Sequence, residues 1–221
     1  MASVILPCWI HDDTTYNRHY DWLCYMDTYI RPRLDYDRII LFDNASDLEY
    51  LKKLNATIHD EDNNCLAIGR SDLFVYRYHT HIPRTGVLEY PYWWRWITTI
   101  PKLKGTFYQA DKYYHIDSDN YIQTQEMLDY MKNSNNGFTA FWEGVHNFPT
   151  SELFILNKDS VDLLKQYEGK NLNGQCAENV LCFSHVEKKF YGGRLAERGT
   201  PGDTAHWVGQ VTQGYPVKFR G

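Results

Sequence analysis

The chain has 221 residues, 43% apolar and 23% charged, the ordinary mix of a globular protein, which excludes disorder, collagen and coiled coil as descriptions of the whole. With 23 Lys and Arg against 28 Asp and Glu, the formal charge is -5, so neither nucleic acid nor an anionic membrane is expected to attract it. Five cysteines without CxxC spacing suit neither a disulfide framework nor a zinc ribbon and point to a reducing, cytoplasmic setting.

Residues 4–10 form a continuous apolar run of strand length, with no basic stretch before it and with His11-Asp12-Asp13 following too soon for a signal peptide or membrane helix. Helical spacing of apolar residues over 16–30 predicts a helix ending before Pro32. Residues 38–42 read as a second buried strand, followed by Asp43-Asn44-Ala45-Ser46 and a helix over 47–54. A third strand is expected at 73–78, a helix at 93–103 and a fourth strand at 113–116, which runs into Asp117-Ser118-Asp119-Asn120. Beyond it come a helix over 125–132, strands at 137–142 and 153–156, and helices at 160–167 and 178–183. The segment 192–221 reads as ordered loop around one short strand.

Continuous apolar strands joined by helices imply an α/β fold, a Rossmann-like, mostly parallel central sheet with helices on both faces. Ligands of such sheets sit beyond the carboxyl ends of the strands, where three polar clusters converge: residues 9–12, 43–46 and 117–120. With no repeat or linker visible, one domain over 1–221 is expected. The end at Phe219-Arg220-Gly221 has no obvious terminal signal, which is compatible with a piece of a longer, multidomain chain. The sequons at Asn44 and Asn55 are short patterns that arise by chance.

Asp117 and Asp119, two apart at a strand end, can point the same way once the chain leaves the pleat, and the small Ser118 between them lets a ligand approach. That suits a hard divalent cation with positions open for phosphate oxygens. The strand Ser3-Val4-Ile5-Leu6-Pro7, the turn Phe42-Asp43-Asn44-Ala45-Ser46 and the stretch Tyr114-His115-Ile116-Asp117-Ser118-Asp119 together resemble a glycosyltransferase of the GT-A fold. The first half resembles the large inverting family whose second strand ends in an Asp-Asp-Gly-Ser-like turn, with Asn44-Ala45 in place of the middle pair. Trp94-Arg95-Trp96 is more like the glycogenin-like retaining families, and His206-Trp207-Val208-Gly209 is similar to their His-x-x-Gly motif.

The resemblance implies a nucleotide-sugar donor, most often a UDP-sugar, a divalent metal and a glycan or glycoconjugate acceptor, with the nucleotide-binding part of the domain at about 1–120 and the acceptor-binding part at about 121–221. It places Asp43 on the base or ribose, although the residue could instead cap the next helix. Pro7, Cys8 and Trp9 would lie under the base, where Trp9 could also be plain core. Arg95 would face the diphosphate or sugar, the alternative being a solvated helix face. Asp117, Asp119 and His206 would be the metal ligands. Imidazole with carboxylates suits Mn²⁺ better than Mg²⁺. On the acceptor side, carboxylates and aromatic rings share the stretch 141–152, and Glu178-Asn179 falls where related inverting enzymes carry an acidic pair containing the base. Glu178, Glu152 and Glu143 are therefore the base candidates. Two other classes compete: a haloacid-dehalogenase-like phosphatase, which also ends a strand in Asp-x-Asp, and a non-catalytic carbohydrate-binding module, suggested by 18 Tyr, 10 Phe and 7 Trp but expected to be mostly antiparallel β.

Overall fold

A computed structural model describes residues 1–86, 91–118, 120–122, 124–143, 148–172, 174–192 and 211–213. Eleven strands lie among them: β1 Ala2–Cys8, β2 Arg38–Asp43, β3 Ala56–Asp60, β4 Cys65–Ala67, β5 Arg70–Arg77, β6 Lys112–Ile116, β7 Asn120–Ile122, β8 Phe138–Glu143, β9 Phe148–Asn157, β10 His185–Gly192 and β11 Val211–Gln213. Nine form one sheet in the order β10-β8-β9-β6-β1-β2-β5-β3-β4, and β7 and β11 form a separate pair. Five of the eight ladders in the large sheet are parallel. β9 runs antiparallel between β6 and β8, and β4 lies antiparallel on β3. The α/β class with a mostly parallel sheet is thus observed, unlike the antiparallel architecture of a binding module.

Both faces of the sheet are covered, which is why its central strands read as unbroken apolar runs. Val4, Leu6, Ile39, Leu41 and Val75 turn to one face against Trp22 and Met26. Ile5, Ile40, Phe42 and Phe74 turn to the other against Trp96 and Ile97. The helices that supply these layers are α1 Asp13–Tyr25, α2 Arg31–Leu34, α3 Leu48–Lys53, α4 Pro91–Thr99, α5 Gln125–Asn133 and α6 Ala177–Val180, with 3₁₀ turns at Ile100–Leu103 and Lys158–Tyr167. Among the described residues no helix is long and apolar enough to cross a membrane. All five cysteines are free.

Several boundaries differ from those read off the sequence. α1 begins at a capping box in which Asp12 accepts from the Thr15 amide at 2.7 Å and Thr15 Oγ1 accepts from the Asp12 amide. The helical course that α1 opens does not stop before Pro32. A π turn over Met26–Ile30 intervenes, and the Arg31 amide already bonds the Met26 carbonyl five residues back. The ladder is therefore displaced where Pro32 would break it, and α2 ends only at Asp35, whose φ is 60°. β1 stops at Cys8 rather than residue 10, because the Ile10 amide turns away to donate to Ser46 Oγ at 2.6 Å. The helix expected at 178–183 is only Ala177–Val180 and yields to β10. The one expected at 160–167 is a 3₁₀ segment.

Candidate active site

The parallel strands β1, β2, β5 and β6 deliver their carboxyl ends to one edge. There the β1–β6 ladder ends at Ile5 beside His115. Pro7, half-buried and without an N–H, lies two residues beyond that last pair. β1 stays paired to β2 as far as Cys8 and Asp43. The crevice edge between β1 and β6 is therefore where the Asp117 segment leaves the sheet.

Asp43 is fully buried. Its carboxylate accepts from the Ser46 amide at 3.0 Å and from Ser46 Oγ, receives the Cys8 thiol at 3.7 Å, and faces Arg77 Nε at 3.7 Å. Burial raises its pKa to about 6, against the pull of the Ser46 bonds and Arg77. As placed, both oxygens are used to fasten the turn after β2 to the end of β1, and no part of the side chain is open to a nucleoside. The cap of α3 is Asp47, which accepts from the Glu49 amide at 2.9 Å. Ala45 takes φ 56° in this turn, the left-handed region where the similar family pattern has Gly. Asn44 is 4% exposed and clamps Ile82 through both side-chain atoms at 2.8 and 3.0 Å, so its sequon is closed to modification.

Trp9 stands at the same edge and is 39% exposed. His11 stacks on it at 3.8 Å and His81 at 4.3 Å. Two rings that close to one indole would touch each other if they shared a face. They make no such contact, so Trp9 is sandwiched between them and offers its rim rather than a bare face. The resemblance puts Arg95, on α4, at the diphosphate or sugar. Its guanidinium instead bonds Thr80 O at 2.7 Å and Glu61 at 3.2 Å and lies 3.9 Å over the Tyr78 ring, which ties the loop after β5 to the end of β3.

Asp117 follows β6 directly. Its amide donates to Glu152 O at 3.0 Å, its carboxylate accepts from the Ser118 amide at 2.9 Å, and its carbonyl accepts from Asn120 at 2.9 Å. Ser118 is buried. Asp119 and His206 lie outside the described residues, and among the described residues no three His, Cys, Asp or Glu side chains gather as metal ligands. The backbone nevertheless returns to this point. β11 pairs antiparallel with β7, setting Gln213 opposite Asn120 and Val211 opposite Ile122. Sequence reading places one short strand in this tail but does not foresee its partner, because a three-residue ladder carries no periodic signal.

Glu152 is partly buried beside Asp117 on β9. Glu178, at the start of α6, reaches the same strand: Oε1 accepts from Ser151 Oγ at 2.7 Å and Oε2 from the Cys176 thiol at 2.6 Å. Burial and the neighbouring carboxylate push the Cys176 thiol pKa up, which keeps it a donor. Glu143 closes β8 opposite Phe148. The structure thus brings Asp117, Ser118, Glu152 and Glu178 to one side of the sheet edge, while Asp43, Trp9 and Arg95 build the other.

No known protein family and no curated protein matches the sequence. Solved structures do follow a similar chain course. Galactosyltransferase LgtC with donor and acceptor sugar analogs is 12% identical over 85% of this chain and 73% of its own, at a TM-score of 0.48. A glycosyltransferase involved in glycosylation of the major capsid of PBCV-1 is 12% identical over 83% and 72%, at 0.42. The 4-diphosphocytidyl-2C-methyl-D-erythritol synthase of Anaerococcus prevotii is 11% identical over 85% and 86%, at 0.47. Likeness at this level concerns chain course and assigns no chemistry to this protein.

Proposed function

We propose that the protein is a metal-dependent glycosyltransferase that moves a sugar from a nucleoside-diphosphate donor, a UDP-sugar, to a carbohydrate or glycoconjugate hydroxyl. The observation that carries the reading is the β7–β11 pairing. It returns the tail to the residues directly after Asp117-Ser118-Asp119, and His206 precedes Val211 by only five residues, roughly 17 Å of extended chain at most. Asp117, Asp119 and His206 are then the ligands of one divalent cation. Two hard carboxylates with one imidazole fit Mn²⁺ and accommodate Mg²⁺. When bound, the ion offsets the charge that develops on the leaving diphosphate.

The remaining roles belong to the chain's own groups. The buried Ser118 leaves room for the donor between the two carboxylates. Pro7 and Trp9 border the base, while Asp43 and Arg95 act at one remove by holding the turns after β2 and β5. Glu178 takes the proton of the acceptor hydroxyl, held by Ser151 and Cys176, and Glu152 and Glu143 line the acceptor side. A carboxylate base fits attack from the face opposite the leaving group, hence inversion. The test is a panel of UDP-sugars assayed for UDP release with Mn²⁺ and with excess chelator. Turnover that needs Mn²⁺ and is lost in Asp117→Asn is expected; undiminished turnover in chelator would refute the metal role, and no turnover of any nucleotide sugar would refute the reading.

A further inference from the structure

Arg18 stands apart from the other described arginines. Each of the other seven has a hydrogen-bond partner: Arg31, Arg33, Arg38, Arg70, Arg77, Arg84 and Arg95 all reach carboxylates, hydroxyls or carbonyls. Arg18 has none among the described residues, although its Nε is buried and the residue as a whole is half-buried. A guanidinium carries five donors and cannot shed its charge. Leaving it unpaired in a partly desolvated place in a chain with net charge -5 is costly unless an anion from outside completes it.

Its position says which anion. α1 starts directly after the carboxyl end of β1, so its first two turns stand at the edge of the sheet that carries the candidate site. Arg18, Trp22 and Tyr25 share one face of α1 at i, i+4 and i+7. Tyr25 fixes the direction of that face: its hydroxyl donates to Ile122 O at 2.9 Å, and its ring meets Tyr121 at 4.8 Å. The face therefore looks toward β7, and Arg18 lies about 10 Å nearer the sheet edge than Tyr25. Arg18 is also close enough to Cys8 for its charge to draw that thiol's pKa down against a larger rise from burial. With Ile5 level with His115, Pro7 and Cys8 come level with Asp117 and Ser118. Trp22, fully buried, supplies an independent sign: its indole N–H also has no partner. Two unmatched donors, one charged, stand one helical turn apart on the α1 face that runs from the sheet edge toward β7, and together they ask for an oxyanion with several acceptor oxygens.

We infer that Arg18, backed by the indole N–H of Trp22, is a phosphate-binding site, and, resting on the glycosyl-transfer reading, that it receives the donor's diphosphate. The planar guanidinium takes two phosphate oxygens at once, holding the leaving group from the α1 side of the crevice while Arg95 remains committed to Glu61. The family resemblance gives Arg95 the diphosphate or sugar and passes over Arg18, because a lone Arg on a helix looks like any solvated one until its lack of partners is visible in three dimensions.

Titration of the full chain with inorganic pyrophosphate, and separately with UDP, by calorimetry in chelator and low salt tests the site without metal or sugar. Both ligands should bind the wild type. Arg18→Ala should weaken both at least tenfold, and Arg18→Lys should lie between, since Lys keeps the charge but not the fork. Thermal unfolding controls for folding, and Arg18→Lys keeps the test decisive if Arg18→Ala is unstable. In ¹H–¹⁵N spectra the indole signal missing from Trp22→Phe should move when pyrophosphate is added. Wild-type affinity in both Arg18 variants, no binding to the wild type, or an unmoved Trp22 signal would each overturn the site. Arg18-dependent pyrophosphate binding without turnover of any UDP-sugar would keep the anion site and remove the glycosyl-transfer reading; turnover with unchanged affinity in the Arg18 variants would do the reverse.

Discussion

Replacing Asp43 by Asn isolates the cost of one buried charge. The carboxyl group is fully buried, and its pKa stands at about 6 in the fold against 3.8 in a free chain. Because the folded pKa is the higher one, the native state binds the proton more strongly than the unfolded state between those two values. Stability is therefore lost as pH rises from about 4 through 6. Two units at 1.36 kcal/mol each amount to about 3 kcal/mol. The amide of Asp43→Asn cannot ionise, so the variant escapes that loss, whatever constant amount it forfeits through weaker bonding to Ser46 and the unpaired Arg77. Urea unfolding of both proteins at pH 4, 5, 6 and 7.5 should show the variant gaining on the wild type by about 2.5 kcal/mol across the range, the rest of the loss lying below pH 4. Other carboxylates, Asp60 and Asp72 among them, are held below their usual range by hydrogen bonds and act in the opposite direction, but they are common to both proteins and cancel in the difference. A difference that stays flat with pH would refute the reasoning. A variant that loses ground as pH rises would show that Arg77 and Ser46 outweigh burial.

Gly69→Ala should destabilise by more than about 2 kcal/mol in denaturant unfolding, because the added Cβ would meet Asn55 O at 2.2 Å and Asn55 C at 2.4 Å, both backbone atoms; a near-neutral result would mean that the β3–β4–β5 corner yields easily. Arg95→Ala should cost roughly 1.5–3 kcal/mol of stability through the lost charged hydrogen bonds, and Arg95→Lys should not recover it because the contact with Tyr78 needs a planar group. Wild-type melting combined with lost UDP binding would return Arg95 to the diphosphate. Glu178→Gln should lower turnover more than tenfold, about 1.4 kcal/mol of barrier, with a product anomer inverted relative to the donor by proton NMR. A smaller loss or a retained configuration would remove Glu178 as the base.

The parts legible in the sequence are those where one physical demand acts alone. β2 is buried along its whole length, so between Arg38 and Asp43 only apolar residues fill it, and the unbroken run reads as a strand. β10 carries His185-Val186-Glu187-Lys188-Lys189 and sits at the sheet edge, where charges block pairing with another chain. The requirement that protects the edge also erases the strand signal. β3 alternates buried and half-buried residues and ends in the polar Asp60 turn, so its pattern is short and ambiguous. The site divides in the same way. Asp117 is placed by the pattern of an apolar strand running into a carboxylate, and it stands directly after β6. Asp43 and Arg95 use the same side-chain chemistry to bind a ligand or to bind their own loops, and only the Ser46 and Glu61 contacts separate the two. Arg18 is the converse case, since its meaning lies in contacts it does not make. A sequence records which donors and acceptors exist, whereas the fold decides which are already matched, and Arg18 and Trp22 on α1 are donors that the fold leaves unmatched.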